Sequence, residues 1–132
     1  MSCQTLIDYL TQVFTNTGPG VVAAYLFGSY ARDEAGPNSD LDIAVLFHQA
    51  PERTLMNPSV TLQGNLERQF RVPVDLIVMN SAPVDLIHRV LRDSVLLSGR
   101  DAPERISFEV KARNDYFDLL PHLHRYREEH VA

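Results

Sequence analysis

Two aspartates separated by one residue have the side-chain type and the spacing of a candidate metal-binding pair. Asp40 and Asp42 begin an apolar segment that ends at Phe47, and this composition predicts a β-strand from Asp40 to Phe47. Successive side chains of a strand point to opposite faces, so both carboxylates lie on one face. Two like charges held this close repel each other, and either protonation or a cation relieves the repulsion. We favour Mg²⁺, because carboxylate oxygens are its usual protein ligands.

A glycine-serine pair supplies the second part of the candidate site, with ten residues between it and Asp40. Gly28 and Ser29 follow an apolar strand predicted over Val21–Phe27. Glycine lets a ligand approach the backbone closely, and a serine hydroxyl with N–H groups at a helix start can bind phosphate oxygens. Arg32 is the only cation nearby in the sequence, and it could meet a phosphate or Asp40. The combination predicts a nucleotide-binding site for a triphosphate.

A third carboxylate, Asp75, interrupts a later apolar strand predicted over Val72–Met79. A buried aspartate needs an ionic partner, a hydrogen bond or a metal ion. We therefore interpret Asp75 as a further metal ligand that could also accept the proton of an attacking hydroxyl. The alternative is a strand-edge aspartate in contact with solvent or with a lysine or arginine. Because the sequence shows no Ser-His or Cys-His nucleophile, it favours direct in-line transfer.

Residues 28–45, GSYARDEAGPNSDLDIAV, resemble the active-site motif of the DNA polymerase beta nucleotidyltransferase superfamily. Since the chain is short, it is most similar to the minimal nucleotidyltransferases, antitoxins that partner HEPN-domain ribonuclease toxins. This resemblance implies an α/β (α+β) fold in which a small mixed β-sheet packs with helices and a helical C-terminal tail. It also implies that a third aspartate, here Asp75, lies beside Asp40 and Asp42. Many superfamily members carry glycine where this chain has Asp33.

The resemblance further implies an activity. The donor would be ATP, the cofactor Mg²⁺, and the acceptor a tyrosine hydroxyl of the HEPN toxin, so that adenylylation silences the toxin. An aminoglycoside-type nucleotidyltransferase shares the motif, but it builds its acceptor pocket with an additional domain for which 132 residues leave little room. A binding-only antitoxin with a vestigial site is the other alternative, and the intact motif argues against it. A neighbouring gene for a small helical protein, with arginine followed some residues later by histidine, would favour the toxin partnership and a hetero-oligomer.

Length, charge and hydropathy limit the remaining possibilities. At 132 residues the chain is predicted to be a single nucleotidyltransferase domain, 1–132. A net charge of −5 argues against nucleic acid as the main partner. We expect no membrane segment, since no apolar run reaches roughly 18 residues, and no secretory signal at MSCQTLIDYL. The single Cys3 cannot form an internal disulfide and fits a reducing, cytoplasmic location.

Hydrophobic periodicity predicts the other elements of the chain. A first helix is expected over Ser2–Asn16 with a turn at Thr17–Gly20, a short helix beginning at Tyr30–Arg32, and a helix over Pro58–Phe70. Ser81 is the predicted N-cap of a helix that extends through Leu91. A short apolar run ends at Gly99, and a charged helical tail follows over Asp101–Glu129, where Pro121 should kink or divide the helix.

Overall fold

Within residues 3–16, 20–52 and 57–130, which the computed structural model describes, four strands form one mixed sheet. They are β1 (Val21–Phe27), β2 (Leu41–Phe47), β3 (Val74–Val78) and β4 (Val95–Ser98). Their spatial order is β3-β2-β1-β4. β1 pairs antiparallel with β2 and with β4, whereas β2 pairs parallel with β3. The mixed sheet and its helices confirm the predicted fold class.

The helices are α1 (Cys3–Thr15), α2 (Gly28–Ala31), α3 (Pro58–Phe70), α4 (Val84–Asp93) and α5 (Pro103–His130), and a 3₁₀ turn at Met79–Ser81 precedes α4. The predictions for α1 and α3 are confirmed. Asn57 caps α3, because its side chain accepts hydrogen bonds from the Ser59 and Val60 N–H groups. The turn predicted at Thr17–Gly20 lies mostly outside the described residues. None of the described helices combines the length and the apolar character that crossing a bilayer requires.

Helices cover both faces of the sheet, as the unbroken apolar runs of its two central strands indicate. On one face α1 and α3 pack over alternate β2 residues: Leu41, Ile43 and Val45. On the other face α4 and α5 pack over a second set of buried residues of β1 and β2: Val22, Ala23, Tyr25, Ala44 and Leu46. Asp42 alternates with Leu41 and Ile43, so its carboxylate lies on the side of α4 and α5.

Several predicted boundaries are wrong. α2 begins at Gly28 rather than at Tyr30. Pro83, not Ser81, occupies the N-cap of α4, and it makes no side-chain capping bond; Ser81 belongs to the preceding 3₁₀ turn. Pro121 does not divide α5, since a helix can continue through a proline when it gives up one backbone hydrogen bond. These errors concern local hydrogen bonding, which apolar periodicity does not report.

A polar cluster attaches α5 to the sheet. The Tyr25 hydroxyl on β1 donates a 2.9 Å hydrogen bond to Glu109 Oε1. Arg105 forms a 2.8 Å ion pair with Glu109 Oε2 and also donates to the carbonyl oxygen of Gly99. The Arg105 and Glu109 side chains are only 15% and 12% exposed. Burial, followed by the hydrogen bond and charge of Glu109, raises the pKa of Tyr25 well above its usual range.

Candidate active site

The Gly-Ser turn lies directly against the Asp42 carboxylate. Phe27, the last residue of β1, pairs with Asp42 at the start of β2, and Gly28 follows with a φ of +74°. A Cβ atom built on Gly28 would lie 2.0 Å from Asp42 Oδ2. Any side chain at this position would therefore displace the carboxylate, and the positive φ would also strain a residue other than glycine. The hairpin geometry thus brings together two parts of the motif that are separate in sequence.

Asp75 also lies beside Asp42. The parallel register of β2 and β3 places the two aspartates directly opposite each other, so both side chains point to the same face. The expectation that Asp75 is buried is wrong: the residue is exposed. The reason is that β3 is an edge strand, and only its first residue, Val74, is buried. The third carboxylate is therefore open to solvent and to an approaching acceptor.

Negative charge is concentrated at this end of the sheet. Burial raises the pKa of the Asp42 carboxyl, and the carboxylates of Asp75 and Asp40 raise it further, whereas the Arg32 guanidinium lowers it. Asp40 lies just before β2 and is exposed. The prediction that Asp40 begins the strand is wrong, because β2 starts at Leu41, but the charge of Asp40 does act on Asp42. An ionised Asp42 therefore needs more compensating positive charge than Arg32 supplies.

The available ligands fit a magnesium ion shared with a nucleotide. Among the described residues no three His, Cys, Asp or Glu side chains are grouped closely enough to hold a metal ion. Mg²⁺ usually takes only one or two protein carboxylates and completes its octahedron with water and substrate phosphates. Asp42 with its neighbours offers oxygen ligands only, and their mutual repulsion favours a cation. The site therefore fits a magnesium ion that is bound by one or two carboxylates and by the phosphates of a nucleotide.

Ser29 and Arg32 differ in how free their side chains are. The Ser29 side chain makes no hydrogen bond with the described residues, so its hydroxyl is available to a ligand. Arg32 is exposed and forms a 3.0 Å ion pair with Glu34 Oε2. The structure shows no ion pair between Arg32 and Asp40, although the Arg32 charge does act on Asp42. An exposed pair of this kind is weak, so Arg32 can exchange Glu34 for a phosphate.

The backbone of the loop accounts for Asp33. This residue has a φ of 56°, in the left-handed region. Glycine adopts that conformation without strain, while aspartate and asparagine tolerate it better than other residues. The backbone at this position therefore favours glycine, and Asp33 adopts the conformation at some cost.

Arg89 is a candidate site residue that sequence reasoning missed. A cleft of about 150 Å³ runs between the Gly-Ser turn and α4. Its lining residues are Phe27, Gly28, Arg32, Leu86, Arg89, Val90 and Asp93. The helical spacing of the four α4 residues could have shown that they share one face. Nothing in the sequence indicated that this face meets Gly28.

Comparison with known proteins finds sequence similarity over most of the chain. Residues 8–103 match the family model described as "Polymerase beta, Nucleotidyltransferase". The protein adenylyltransferase MntA of Thermococcus cleftensis is 36% identical over 76 residues, which cover 58% of this chain and 74% of that protein.

Solved structures extend the similarity beyond the matched region. One is a crystal structure of a toxin-antitoxin with AMP-PNP; the TM-score is 0.73 at 27% identity, covering 93% of both chains. Another contains tri-AMPylated Shewanella oneidensis HEPN toxin in complex with MNT antitoxin; the TM-score is 0.68 at 25% identity, covering 96% of this chain and 93% of the other. The similarity therefore includes elements on both sides of the sheet.

Proposed function

The chain belongs to the polymerase beta nucleotidyltransferase family, and from this premise we propose that it is an antitoxin that adenylylates a cognate HEPN ribonuclease toxin. It transfers AMP from ATP to a tyrosine hydroxyl of the toxin and thereby neutralises it. The observation that carries the proposal is the contact of the Gly-Ser turn with Asp42, which in turn faces Asp75. The relative named a protein adenylyltransferase and the toxin-antitoxin structures support the protein acceptor.

The reaction is a direct displacement at the α-phosphorus of ATP. The tyrosine oxygen forms a bond to this phosphorus while the bond to the oxygen that bridges to the β-phosphate breaks. Pyrophosphate leaves with the electron pair of the broken bond. The hydroxyl proton passes to Asp75, whose exposure allows it to receive a partner's side chain and later to release the proton to water. No covalent enzyme intermediate is needed.

The nucleotide is held by the first residues of α2. Gly28 permits the phosphate chain to approach the backbone, and the free Ser29 hydroxyl donates to a phosphate oxygen. Arg32 adds a positive charge near Asp42. Asp42 with one neighbour, Asp40 or Asp75, would hold Mg²⁺ together with the phosphates, and the bound ion would supply charge neutralisation for the phosphates and the departing pyrophosphate. Gly28 and Ser29 therefore bind the phosphates of ATP, whereas the carboxylates bind the metal ion at the reacting groups.

The acceptor is a protein rather than a small molecule. Asp40 and Asp75 are exposed, so a tyrosine on the surface of a partner can reach them. The partner must then supply most of the acceptor's surroundings, as expected for a toxin-antitoxin complex. Use of ATP and the single Cys3 fit a cytoplasmic location.

The test is transfer from α-labelled ATP to a HEPN protein encoded by a neighbouring gene, with and without Mg²⁺. We expect label on the toxin only when Mg²⁺ is present, and a rise in toxin mass by whole AMP units. Replacing the acceptor tyrosine with phenylalanine should abolish the label, and ribonuclease activity should fall as label accumulates. Label on a small molecule or an RNA instead of the toxin would contradict the proposal. Toxin inhibition without any label would favour a binding-only antitoxin.

A further inference from the structure

The cleft between the Gly-Ser turn and α4 contains a guanidinium group to which the proposed chemistry assigns no role. From its charge, size and position we infer that this cleft is a subsite for the β- and γ-phosphates of ATP, and that Arg89 is its principal ligand. The inference rests on the proposed nucleotidyl transfer and adds to it a second element, α4, that binds the donor.

The three charged side chains of the cleft differ in their partners. Arg32 is paired with Glu34. Both carboxylate oxygens of Asp93 accept from Arg92, at 3.0 and 2.9 Å. Arg89 forms no ion pair or hydrogen bond with the residues that the structure describes. Because Asp93 is already neutralised by Arg92, the cleft presents a net positive charge whose free donors belong to Arg89.

A guanidinium with free donors suits a phosphate chain. It is always charged, and its planar fork can donate two parallel hydrogen bonds to phosphate oxygens. Arg89 is solvent-exposed, so ligand binding does not require the rupture of a buried network. The chain as a whole carries a charge of −5, so ATP needs local positive charge of this kind in order to approach the carboxylates.

The position and size of the cleft indicate which part of ATP it holds. Gly28 lines both this cleft and the contact with Asp42, so the subsite is continuous with the reacting centre. A volume of about 150 Å³ is too small to enclose a ligand the size of a whole nucleotide. With the α-phosphate beside Asp42, the terminal phosphates can extend along α4 to Arg89, and the nucleoside lies elsewhere.

Equilibrium binding of ATP and AMP tests this assignment, because AMP lacks the two phosphates in question. Binding would be measured by calorimetry with Mg²⁺ and without toxin, for the wild-type protein, Arg89→Gln, Arg89→Lys and the control Arg100→Gln. Arg100→Gln removes the same charge just beyond the end of β4. At that end Ser98 pairs with Ala24, whereas Val95, at the other end of β4, pairs with Leu26 near Gly28. The control therefore lies at the opposite end of the sheet.

We expect Arg89→Gln to weaken ATP binding roughly tenfold or more, as for loss of a charge-assisted contact. Binding of AMP should change less than twofold, and Arg89→Lys should be intermediate because lysine retains the charge but not the fork. Arg100→Gln should match the wild type.

An Arg89→Gln protein with unchanged melting temperature and ATP affinity within twofold of wild type would overturn the inference. Equal losses for ATP and AMP would do so as well, since they would place the nucleoside in the cleft. If the wild-type protein modifies its toxin but Arg89→Gln leaves ATP affinity unchanged, the subsite is wrong and the proposed function stands. If the wild-type protein does not bind ATP, both the subsite and the proposed function are wrong.

Discussion

Asp42 on β2 lies directly opposite Asp75 on β3, and the two strands run parallel. Their carboxylates occupy one face at one end of the sheet, where burial and the charges of Asp75 and Asp40 raise the pKa of Asp42. The fold thus holds like charges together without enough positive charge to balance them. We expect this arrangement to cost stability in the absence of ligand and to gain it when a cation and a nucleotide bind.

Asp42→Asn should abolish nucleotidyl transfer while leaving the protein folded. The substitution preserves the shape of the side chain but removes a charge that the transition state needs, so the loss should be several orders of magnitude. In EDTA the variant should be at least as stable as the wild type, because it relieves the repulsion among the carboxylates. The gain should not exceed about 1 kcal/mol, since solvent partly screens that repulsion. Transfer assays and thermal melts measure the two effects.

The matched control for Asp42→Asn is Asp101→Asn, which removes an exposed carboxylate near Arg100, at the other end of the sheet. It should leave both nucleotidyl transfer and the free energy of unfolding in EDTA at their wild-type values.

Asp40→Asn should also melt at or above the wild-type temperature in EDTA, with a smaller gain than Asp42→Asn because Asp40 is exposed. With Mg²⁺ and ATP the order should reverse, since a ligand at a hundredfold excess over its Kd adds about 2.7 kcal/mol to the wild type. A folded Asp42→Asn protein with near-normal transfer would remove Asp42 from the site.

Gly28→Ala should impair catalysis more severely than alanine at Gly36, the next glycine along the chain. The new Cβ would lie 2.0 Å from Asp42 Oδ2 at a φ of +74°, so it would displace the carboxylate and strain the backbone. We expect transfer to fall at least a hundredfold and stability to fall by about 1–2 kcal/mol. Gly36→Ala is the control, because its Cβ would meet only Ser39 Oγ, at 4.0 Å. Equal activity of the two variants in the transfer assay would show that the contact with Asp42 does not matter.

Tyr25→Phe should change how stability depends on alkaline pH. The pKa of Tyr25 is raised in the folded protein by burial and by Glu109, so its stabilising contribution is complete below the unfolded value of about 10. That contribution is lost as pH rises from about 10 toward the folded value. At pH 7 the variant should be less stable by about 1 kcal/mol, the usual effect of one hydrogen bond.

Urea unfolding between pH 7 and 11.5 would measure the difference between Tyr25→Phe and the wild type, which should shrink above pH 10. Tyr9→Phe removes the hydroxyl of an exposed tyrosine and should show no such change. A constant difference across this pH range would mean that the Tyr25 hydroxyl is not held in the protonated form by the fold.

Asp33→Gly should stabilise the protein and retain transfer. Asp33 has a φ of 56°, which glycine adopts without the penalty that a Cβ imposes. We expect a gain on the order of 0.5–1 kcal/mol in urea unfolding. Asp33→Ala loses the same carboxylate but keeps a Cβ, so it should be neutral or destabilising. A larger gain for alanine than for glycine would attribute the effect to charge rather than to the backbone.

The features of the site that depend on short-range regularities were predictable from the amino-acid sequence. The alternation of side chains along a strand places Asp42 on the face opposite Leu41 and Ile43, and the structure agrees. Apolar periodicity likewise predicted α3 at Pro58–Phe70. Both patterns are readable because a strand or a helix repeats over a few residues, whatever the rest of the chain does.

The contacts between residues distant in sequence depend on tertiary packing and could not be predicted from local patterns. The register of β2 with β3 placed Asp75 opposite Asp42, and the edge position of β3 exposed it, although its apolar neighbours had suggested burial. Packing of α4 brought Arg89 to the cleft beside Gly28. Strand order, register and helix docking depend on how whole apolar faces fit together, and no local pattern records that fit.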